Sequence, residues 1–480
     1  MRHLFRRWSP LALGLAAPFA AAAPTITPAD QASDALAIEL FRELIEINTT
    51  DTPLGNVTPA AQAMARRLRD AGFAAADVQV VGPNDRKQNL VARLRGTGKH
   101  KPVLLIGHLD VVEAKREDWS TDPFKFVEKD GYYYGRGTQD MKDGDAIMTA
   151  TLIRLKKEGY EPSRDIIMAL TADEEGGTSN GVDWLFKNRR DLVDAQFVLN
   201  HDGSSIDTEN GKPLVYKLES SEKVYADYVL TATNPGGHSS RPTPDNAIYE
   251  LSEALTRIGK YDFPFELNNI TRAYYENMSK IATGERAANM AGIVKMPPDQ
   301  AAIARLRQDP ADRSNTSTTC VATRLAGGHA NNALPQRATA NVNCRILPGH
   351  SLEEIRLDLV KVVNNPKITV QWISDEGQIM DKGSERKGFP PPPLRPEVMQ
   401  PLQKLVGEFW PGLRVVPDMA LGASDNVFVN AAGLSSYAVT GIAIDRENHR
   451  AHGQDERLGM KEFATGNQFY YRYLKALTAK

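Results

Sequence analysis

Residues 103–112 read VLLIGHLDVV, and the segment that follows them ends, at residues 132–145, in YYYGRGTQDMKDGD. The apolar run that opens this stretch predicts a strand buried on both faces, as in parallel sheets. His108 and Asp110 follow at its carboxyl end, and side chains two apart on a strand share a face. A glycine-rich loop then carries Asp140. Because ligand sites of open α/β sheets lie beyond the carboxyl ends of the strands, the stretch predicts an imidazole and a carboxylate at such a site.

Two more buried strands are predicted downstream, and each of them also ends in acidic residues. The run at 166–171, IIMALT, leads into ADEEGG, and the run at 197–200, FVLN, leads into HDG. A strand that merely ends in solvent needs no acid there, so three acidic strand ends favour one shared site over three unrelated surface turns. The predicted fold class is α/β, with a central, mostly parallel sheet flanked by helices.

The length of 480 residues predicts two or three domains, and 41% hydrophobic with 25% charged residues is normal for a globular protein. Residues 24–222 are expected to form the first part of a catalytic domain. Residues 223–374 contain strands with one wet face and read as a smaller α+β domain inserted into it. Residues 375–480 begin with a proline-rich return linker and complete the first domain.

The N-terminal residues 1–23 have the pattern of a secretory signal peptide. Arginines precede the short apolar run at 11–20, and alanines follow it. The run is too short to span a bilayer, and no later segment is apolar enough to do so. We therefore expect a secreted or periplasmic protein whose mature chain has no membrane span. The net charge of -2 argues against nucleic acid or an anionic membrane as the main partner.

The two cysteines, Cys320 and Cys344, lie in two predicted strands. If these strands form a hairpin centred near Asn332, the cysteines fall opposite each other. A disulfide is permitted there in an exported protein. Two buried free thiols are the alternative, and the sequence leaves both open.

The side chains at the strand ends, together with one histidine near the C-terminus, form a set of metal ligands. Zinc suits a mixture of imidazole and carboxylate ligands, and the available set exceeds the three protein ligands of one catalytic zinc. Two metals about 3.5–4 Å apart, bridged by the loop carboxylate of Asp140, would use it fully. Glu174 and Glu175 cannot point the same way, so one can bind metal while the other acts as general base. Asp110 can support the orientation of His108. The expected ligands are His108, Asp140, Glu175, Asp202 and His452.

Taken in order, the motifs HLD, GRGTQDMK, DEEGG, GGHSSRP and AHGQDE resemble a known family. It is that of the dinuclear zinc metallopeptidases, which includes aminoacylase, carnosinase, glutamate carboxypeptidase and succinyl-diaminopimelate desuccinylase. The resemblance covers almost all of the mature chain. It implies a catalytic α/β domain interrupted by a smaller lid domain, and two Zn²⁺ per chain, with Co²⁺ or Mn²⁺ as substitutes.

The resemblance also implies a role for each ligand. His108, Asp140 and Asp202 would hold one zinc, and Asp140, Glu175 and His452 the other. One position departs from the pattern, because many relatives carry Asn-Glu-Gly where this chain has Asn-His-Asp-Gly at residues 200–203. We assign Asp202, which directly precedes the glycine, and keep the neighbouring histidine as a rival ligand.

Further residues are assigned by the same resemblance. Glu174 would be the general base and Asp110 the supporting acid. A first group of substrate-binding positions lies in the lid, where one histidine would bind the carbonyl oxygen, often across a dimer, and an arginine would bind a carboxylate. A second group lies in a glycine-rich loop. The substrate-binding positions are His238, Asn332, Arg345, Gly422 and Ser424.

The implied function is that of an exported zinc-dependent hydrolase. It would cleave an amide bond next to a free carboxylate, as a dipeptidase or carboxypeptidase, through a hydroxide that bridges the metals. The alternative is an N-acyl amino acid amidohydrolase. A metal-bearing binding protein without catalysis is a more distant alternative, since neither the base nor a ligand is missing. The expected partners are a small peptide or N-acyl amino acid and a second copy of the chain, bound through the lid. Lid closure predicts a hinge near Lys223 and Ser374.

Overall fold

The computed structural model describes most of the chain, and the predicted signal peptide lies outside the described residues. The described ranges are 24–203, 205–374, 377–385, 387–445 and 449–480. Along the first part of the chain the helices are α1 Pro28–Ile45, α2 Thr58–Asp70, α3 Lys142–Lys157, α4 Gly181–Asn188 and α5 Arg190–Val193. The strands of this part are β1 Val78–Val81, β2 Asn89–Leu94, β3 Val103–His108, β4 Val127–Lys129, β5 Tyr132–Tyr134, β6 Ile166–Thr171, β7 Phe197–Asn200, β8 Ser205–Glu209 and β9 Lys212–Glu222.

The middle of the chain alternates strands with a helical segment. Its strands are β10 Val224–Thr233, β11 Gly237–His238, β12 Thr319–Gly327, β13 Ala333–Leu334, β14 Arg337–Ile346, β15 Ile368–Ile373 and β16 Ile379–Met380. Its helices are α6 Ala247–Lys260, α7 Asn269–Met278, α8 Gly284–Ile293, α9 Gln300–Leu306, α10 Pro310–Asn315 and α11 Leu352–Val363.

The last part of the chain returns to the first unit. Its helices are α12 Pro396–Phe409, α13 Asn426–Ala431 and α14 Met460–Leu477. Its strands are β17 Val415–Ala420, β18 Ser436–Ala438, β19 Ala443–Asp445 and β20 Arg457–Gly459. No helix among the described residues is both long enough and apolar enough to cross a membrane.

A six-stranded sheet in the order β1-β2-β6-β3-β7-β18 lies at the centre of the first unit. The neighbours β6, β3, β7 and β18 run parallel, whereas β2 runs antiparallel to both β1 and β6. Every residue of β3, β6 and β7 is buried, as the continuous apolar runs predict. Helices such as α1, α3 and α14 cover one face, and α4 with α13 covers the other. The predicted α/β class is confirmed, with a sheet that is mixed at one edge.

The middle of the chain forms a separate antiparallel sheet in the order β12-β14-β10-β15-β16. We call it the lid sheet. One face is buried under α6 and α11, and β12 is an edge strand whose last seven residues are exposed. Cys320 lies opposite Cys344 in the register of β12 and β14, and the two form a disulfide. Of the two alternatives that the sequence left open, the structure therefore has the bridged pair.

A four-stranded sheet in the order β17-β9-β8-β19 connects the two units. Strand β17 comes from the last part of the chain and pairs in parallel with β9, the strand that leads into the lid sheet. Helices α7 to α9 pack against β9 and β17 through an apolar cluster of their own. The lid is thus attached where β9 runs into β10.

Candidate metal centre

Acidic and histidine side chains meet at one edge of the central sheet because β6, β3 and β7 are parallel neighbours. His108 is the last residue of β3. Glu174 and Glu175 follow β6, and Asp202 follows β7. Asp140 arrives from the loop before α3, and His452 from the segment before β20. All five predicted ligands and the predicted base therefore lie in one cluster.

Asp140 lies between the two histidines and presents one carboxylate oxygen to each. Its Oδ1 is 3.1 Å from Nε2 of His108, and its Oδ2 is 3.1 Å from Nε2 of His452. The same His452 nitrogen is 2.9 Å from Oε1 of Glu175. A carboxylate that faces two separate ligand groups has the geometry of a bridge between two cations.

The orientation of His108 is set by the backbone. Its Nδ1 lies 3.0 Å from the carbonyl oxygen of Asp110, which can only accept a hydrogen bond, so Nδ1 carries the proton. Nε2 then faces the cluster, and a metal could take the place of any proton that it carries. This is the usual arrangement of a metal-binding histidine, whose second nitrogen donates to a carbonyl or carboxylate.

The carboxylate of Asp110 holds the two glutamates rather than the histidine. Its Oδ1 accepts the backbone N–H of Glu174 at 3.1 Å, and its Oδ2 accepts that of Glu175 at 2.9 Å. Oδ1 lies 3.8 Å from Nδ1 of His108, too far for a hydrogen bond. Asp110 thus supports the predicted base and a predicted ligand through their backbone, and supports His108 only through its own carbonyl.

The electrostatics of the cluster show a surplus of buried negative charge. Burial raises the pKa of Asp110 to about 6, and burial together with the charge of Asp140 raises the pKa of Asp202 to about 7. Burial also raises the pKa of Glu174 well above its ordinary value, although a positive charge on His108 would oppose this shift. Carboxylates held this close together require protons or cations to offset their repulsion.

The same negative charge also raises the pKa of the histidines, and in them it favours the charged form. Hydrogen bonds to Asp140 and Glu175 raise the pKa of His452 to about 10. Burial works to lower the pKa of His108, but its hydrogen bond with Asp140 and the charge of Glu174 outweigh burial and raise it. For Asp140, burial is outweighed by the hydrogen bonds from both histidines, and its pKa is lowered. Divalent cations between these groups would take the place of the imidazole protons.

Two overlapping groups of side chains could each hold a metal ion. His108 lies with Asp140 and Glu175 in one group and with Glu174 and Asp202 in the other, with ligand atoms within 4.8 Å of one another. The chemistry of these donors, imidazole and carboxylate, fits zinc and similar divalent metals. The second group brings Glu174 as close as a ligand, so its role as base stays a prediction.

The histidine beside Asp202 faces away from the cluster. His201 is buried, its ring lies 5.0 Å from that of Tyr470, and burial lowers its pKa to about 4. No group of metal-ligating side chains among the described residues includes it. Asp202, by contrast, lies with His108 and Glu174. The geometry therefore favours Asp202 over His201.

The loop that carries Asp140 is anchored by Glu456, a residue that was not among the predicted site residues. Glu456 is fully buried and accepts hydrogen bonds from the backbone N–H groups of Gly137, Gln139 and Asp140 at 3.2, 2.7 and 3.3 Å. It also pairs with Arg136 at 2.6 Å, and Arg136 donates to the carbonyl of His452. Glu456 directly follows the AHGQD segment, so the sequence motif could have drawn attention to it. Its backbone hydrogen-bond partners could not have been predicted from that motif.

The acidic turn after β6 is anchored in a similar way. Asp173 has a φ of +58°, a left-handed conformation that is uncommon for aspartate. Its carboxylate accepts the N–H of Ser179 at 3.1 Å and forms a buried ion pair with Lys87. Lys87 also binds Asp51 at 2.8 Å. These contacts fix the backbone immediately before Glu174.

The predicted substrate-binding residues fall into three places. His238 and Asn332 lie side by side on the lid, where β11 pairs with β13 and the Asn332 carbonyl accepts the N–H of Ser239 at 3.0 Å. Arg345 lies on the uncovered face of the lid sheet. Gly422 is exposed, and Ser424 donates its N–H and Oγ–H to Glu222. Among the described residues no hydrogen bond or ion pair joins the three lid residues to the acidic cluster, so their roles stay predictions.

Comparison with known proteins identifies relatives that are similar to this chain in sequence and in fold. The N-fatty-acyl-amino acid synthase/hydrolase PM20D1 of Xenopus tropicalis is 28% identical over 384 residues, which cover 78% of this chain and 72% of that protein. The probable carboxypeptidase S-like 2 of Dictyostelium discoideum is 26% identical, with 78% and 71% covered. The structure of the M20 family metallo-carboxypeptidase Sso-CP2 of Sulfolobus solfataricus has the same fold, with a TM-score of 0.68 at 17% identity over 92% of this chain and 99% of that one.

The sequence profile of peptidase family M20/M25/M40 matches residues 104–476. The match includes the segments that carry the acidic cluster, and the cluster itself has the donor set of a dinuclear metal site. The chain therefore belongs to peptidase family M20/M25/M40 and is a metal-dependent hydrolase of that family.

Proposed function

We propose that the protein hydrolyses an amide bond next to a free carboxylate, as a dipeptidase or carboxypeptidase, with two Zn²⁺ ions. The observation that carries the proposal is the position of Glu174. Its carboxylate lies 3.9 Å from Nε2 of His108, and its backbone is held by Asp110. A glutamate held beside metal ligands, with its pKa raised by burial, is a stronger base than an exposed glutamate and is suited to accept and return a proton.

The residues of the site divide the work between binding and proton transfer. Asp140 would bridge two cations, with His108 and Asp202 on one side and Glu175 and His452 on the other. Such cations lower the pKa of water and polarise the substrate carbonyl. Glu174 would take a proton from the attacking water and deliver it to the leaving amine. Co²⁺ or Mn²⁺ would be accepted by the same donors.

An N-acyl amino acid is the second candidate substrate. It presents the same amide next to a carboxylate, and the relative from Xenopus tropicalis carries that activity in its name. The relative from Dictyostelium discoideum is named as a probable carboxypeptidase. The two activities differ in what lies on the acyl side of the amide bond.

The decisive experiment replaces Glu174 by Gln in the metal-loaded protein. Mass spectrometry would follow amino-acid release from dipeptides, longer peptides and N-acyl amino acids, and elemental analysis would count the bound metals. Since a general base contributes about 10²- to 10⁴-fold, we expect kcat to fall by that factor while both metals are retained.

The matched control for this experiment is Glu117→Gln, since Glu117 is exposed and lies outside the cluster. It should leave kcat unchanged. Loss of one metal from Glu174→Gln would identify Glu174 as a ligand instead of the base. No release from any substrate by the loaded wild-type protein would exclude the proposed activity.

We also propose that the protein is exported. The N-terminal pattern of residues 1–23 supports this, and so does the disulfide between Cys320 and Cys344, since such bonds persist mainly in oxidising compartments. The mass of the protein recovered from a periplasmic or culture fraction tests the proposal. A chain that retains its N-terminal methionine and stays in the cytosol would refute it.

A homodimer through the lid is proposed as well. Strand β12 pairs with β14 on one side only and forms an edge of the lid sheet. It exposes Val321 and Leu325, which are 59% and 66% exposed, and such an edge is a template for pairing with another strand. Sedimentation of the wild-type protein and of Leu325→Lys tests this. A monomeric wild-type protein would contradict it.

A further inference from the structure

A cavity of about 130 Å³ lies where the lid joins the catalytic unit, and we call it the hinge pocket. Strand β9 and the start of β10 form one wall, and the proline-rich return linker and α13 form the others. The apolar residues of its lining include Phe389, Pro390, Pro391, Pro392, Val427 and Phe428. An engineered apolar cavity of about 150 Å³ holds benzene, so the hinge pocket has room for one side chain of leucine or phenylalanine size.

The two charged residues in the lining are already engaged. Lys223 donates to the carbonyls of Ser314 and Ser317, each at 2.9 Å. Glu222 accepts the N–H and Oγ–H of Ser424 through Oε2, whereas its Oε1 is buried and has no hydrogen-bond partner among the described residues. Burial raises the pKa of Glu222 to about 8, so it carries little charge at neutral pH. The hinge pocket therefore offers no free charge to a lysine or aspartate side chain.

A guanidinium that stacks on an aromatic ring, and that forms no ion pair among the described residues, lies beside the hinge pocket. Tyr225 lines the pocket, and the guanidinium carbon of Arg345 lies 4.8 Å from the centre of its ring. Among the described residues no carboxylate lies within ion-pair distance of Arg345. Guanidinium groups bind carboxylates through two parallel hydrogen bonds. A carboxylate at Arg345 would thus place its neighbouring atoms close to an apolar pocket.

A short segment of the chain links the lining of the hinge pocket to the surroundings of the metal centre. Ala423 lines the pocket, Ser424 is held by Glu222, and Asp425 follows as a buried carboxylate. The negative charge of Asp425 helps to raise the pKa of Glu174. In the same way, the negative charge of Asp202 helps to raise the pKa of Glu222.

We propose that the hinge pocket binds the side chain of the residue whose carboxylate is bound by Arg345, and that it selects uncharged, apolar side chains of leucine to phenylalanine size. This rests on the proposed function, because it names the amino acid on the carboxylate side of the scissile amide. The released product is then an apolar amino acid.

The test varies the C-terminal residue of the substrate and the walls of the hinge pocket. Glycyl dipeptides and N-acetyl amino acids ending in Ala, Leu, Trp, Lys or Asp would be compared by kcat/KM with the metal-loaded full chain. Since one methylene in an apolar pocket is worth about 10-fold or more, we expect Leu to exceed Ala, Lys and Asp by at least about 10-fold.

Two variants change the pocket in opposite directions. Val427→Phe fills it and should lower the Leu/Ala ratio about 10-fold, and Phe389→Ala enlarges it and should raise the Trp/Leu ratio by a similar factor. Val360→Phe is the matched control, because Val360 lies 41% exposed on α11, away from the pocket. Ratios measured within one preparation do not depend on the fraction of folded or metal-loaded protein.

Calorimetric binding of free leucine and alanine gives a readout without turnover. Weaker leucine binding in Val427→Phe, with alanine binding retained, supports the assignment of the hinge pocket as the side-chain site. If that result is obtained and no substrate is cleaved, the proposed function fails but the assignment of the pocket does not. Leu/Ala ratios, in turnover or in binding, that agree within twofold between wild type and Val427→Phe would overturn the assignment.

Discussion

Asp140 can face two histidines at once only because its backbone is held on the opposite side. The buried carboxylate of Glu456 accepts hydrogen bonds from three backbone amides of the loop and pairs with Arg136, which in turn donates to the carbonyl of His452. One carboxylate therefore sets the positions of two predicted ligands that are far apart in the sequence. Groups that orient metal ligands in this way typically change metal affinity 10- to 100-fold when removed.

Replacement of Glu456 by Ala should weaken metal binding and destabilise the fold. Three amides lose their acceptor, and Arg136 becomes a buried charge without its partner, which costs about 3–5 kcal/mol of unfolding free energy. Competition with a chelator should show about 10- to 100-fold weaker metal affinity, and the visible spectrum of the Co²⁺-loaded protein should change.

Glu456→Gln and a surface variant provide the controls for this prediction. The glutamine retains one acceptor oxygen and should recover part of the metal affinity. Glu408→Ala removes only a half-exposed ion pair with Lys404 and should leave affinity and spectrum unchanged. Equal metal affinity in wild type and Glu456→Ala would show that the loop holds its shape without this anchor.

Strands β3, β6 and β7 could be predicted from the sequence because burial on both faces leaves a continuous apolar run. The predicted runs at 166–171 and 197–200 coincide with β6 and β7. Pairing over long separations leaves no such mark. The sequence did not predict that β2 would run antiparallel to β6, or that β17 would pair with β9 across about two hundred residues, because either arrangement buries the same side chains.

The hinge between β9 and β10 contains a buried lysine that should make stability depend on pH. Burial and, after it, the positive charge of Arg345 lower the pKa of Lys223 to about 7. Between this value and the ~10.4 of an exposed lysine, the unfolded chain binds a proton that the folded chain releases. The free energy of unfolding contributed by Lys223 therefore rises with pH in that window.

Urea titrations of wild type and Lys223→Met at several pH values test this. Their difference in unfolding free energy should shift in favour of wild type by up to about 1.4 kcal/mol per pH unit between about pH 7.5 and 9. Lys361→Met, which removes an exposed lysine of α11, should show a difference from wild type that does not vary with pH. A flat difference for Lys223→Met as well would mean that Lys223 titrates as an ordinary lysine.

At the scale of the whole molecule, the metal centre joins parts of the chain on both sides of the inserted lid. His108, Asp140, Glu175 and Asp202 precede the lid, and His452 follows it. Metals bound between them would tie the two parts together and add to stability through mass action. At a free metal concentration about 1,000 times Kd, this contribution is about 4 kcal/mol.

Chelation should accordingly lower the melting temperature, and metal should restore it in proportion to the logarithm of its concentration. Glu174→Gln should keep this dependence, because Glu174 is proposed to act on protons and not on the metals. His452→Ala should reduce the dependence by removing one ligand. A melting temperature that does not change with metal would contradict a site that joins the two parts.

The metal ligands of the candidate site could be predicted from the sequence, whereas the contacts that hold them in place could not. The ligands could be found because each follows a buried strand or lies in a motif of acids, glycines and histidines. The contacts of Asp110 and Glu456 with backbone amides could not, since a side chain that binds N–H groups leaves no sequence pattern in its partners. The hinge pocket could not be predicted either, because its walls come from three distant segments of the chain and none of these segments has a recognisable motif for a pocket.

The link between Glu456 and the loop of Asp140 also fixes when the site can form during synthesis. The loop of Asp140 leaves the ribosome more than three hundred residues before Glu456 does. A nascent chain therefore has most of the predicted ligands before it has the carboxylate that holds this loop in place. We therefore expect the loop of Asp140 to reach its final position only after the C-terminal part of the chain has been made. A chain that crosses a membrane unfolded would acquire its metals at its destination, from the supply available there.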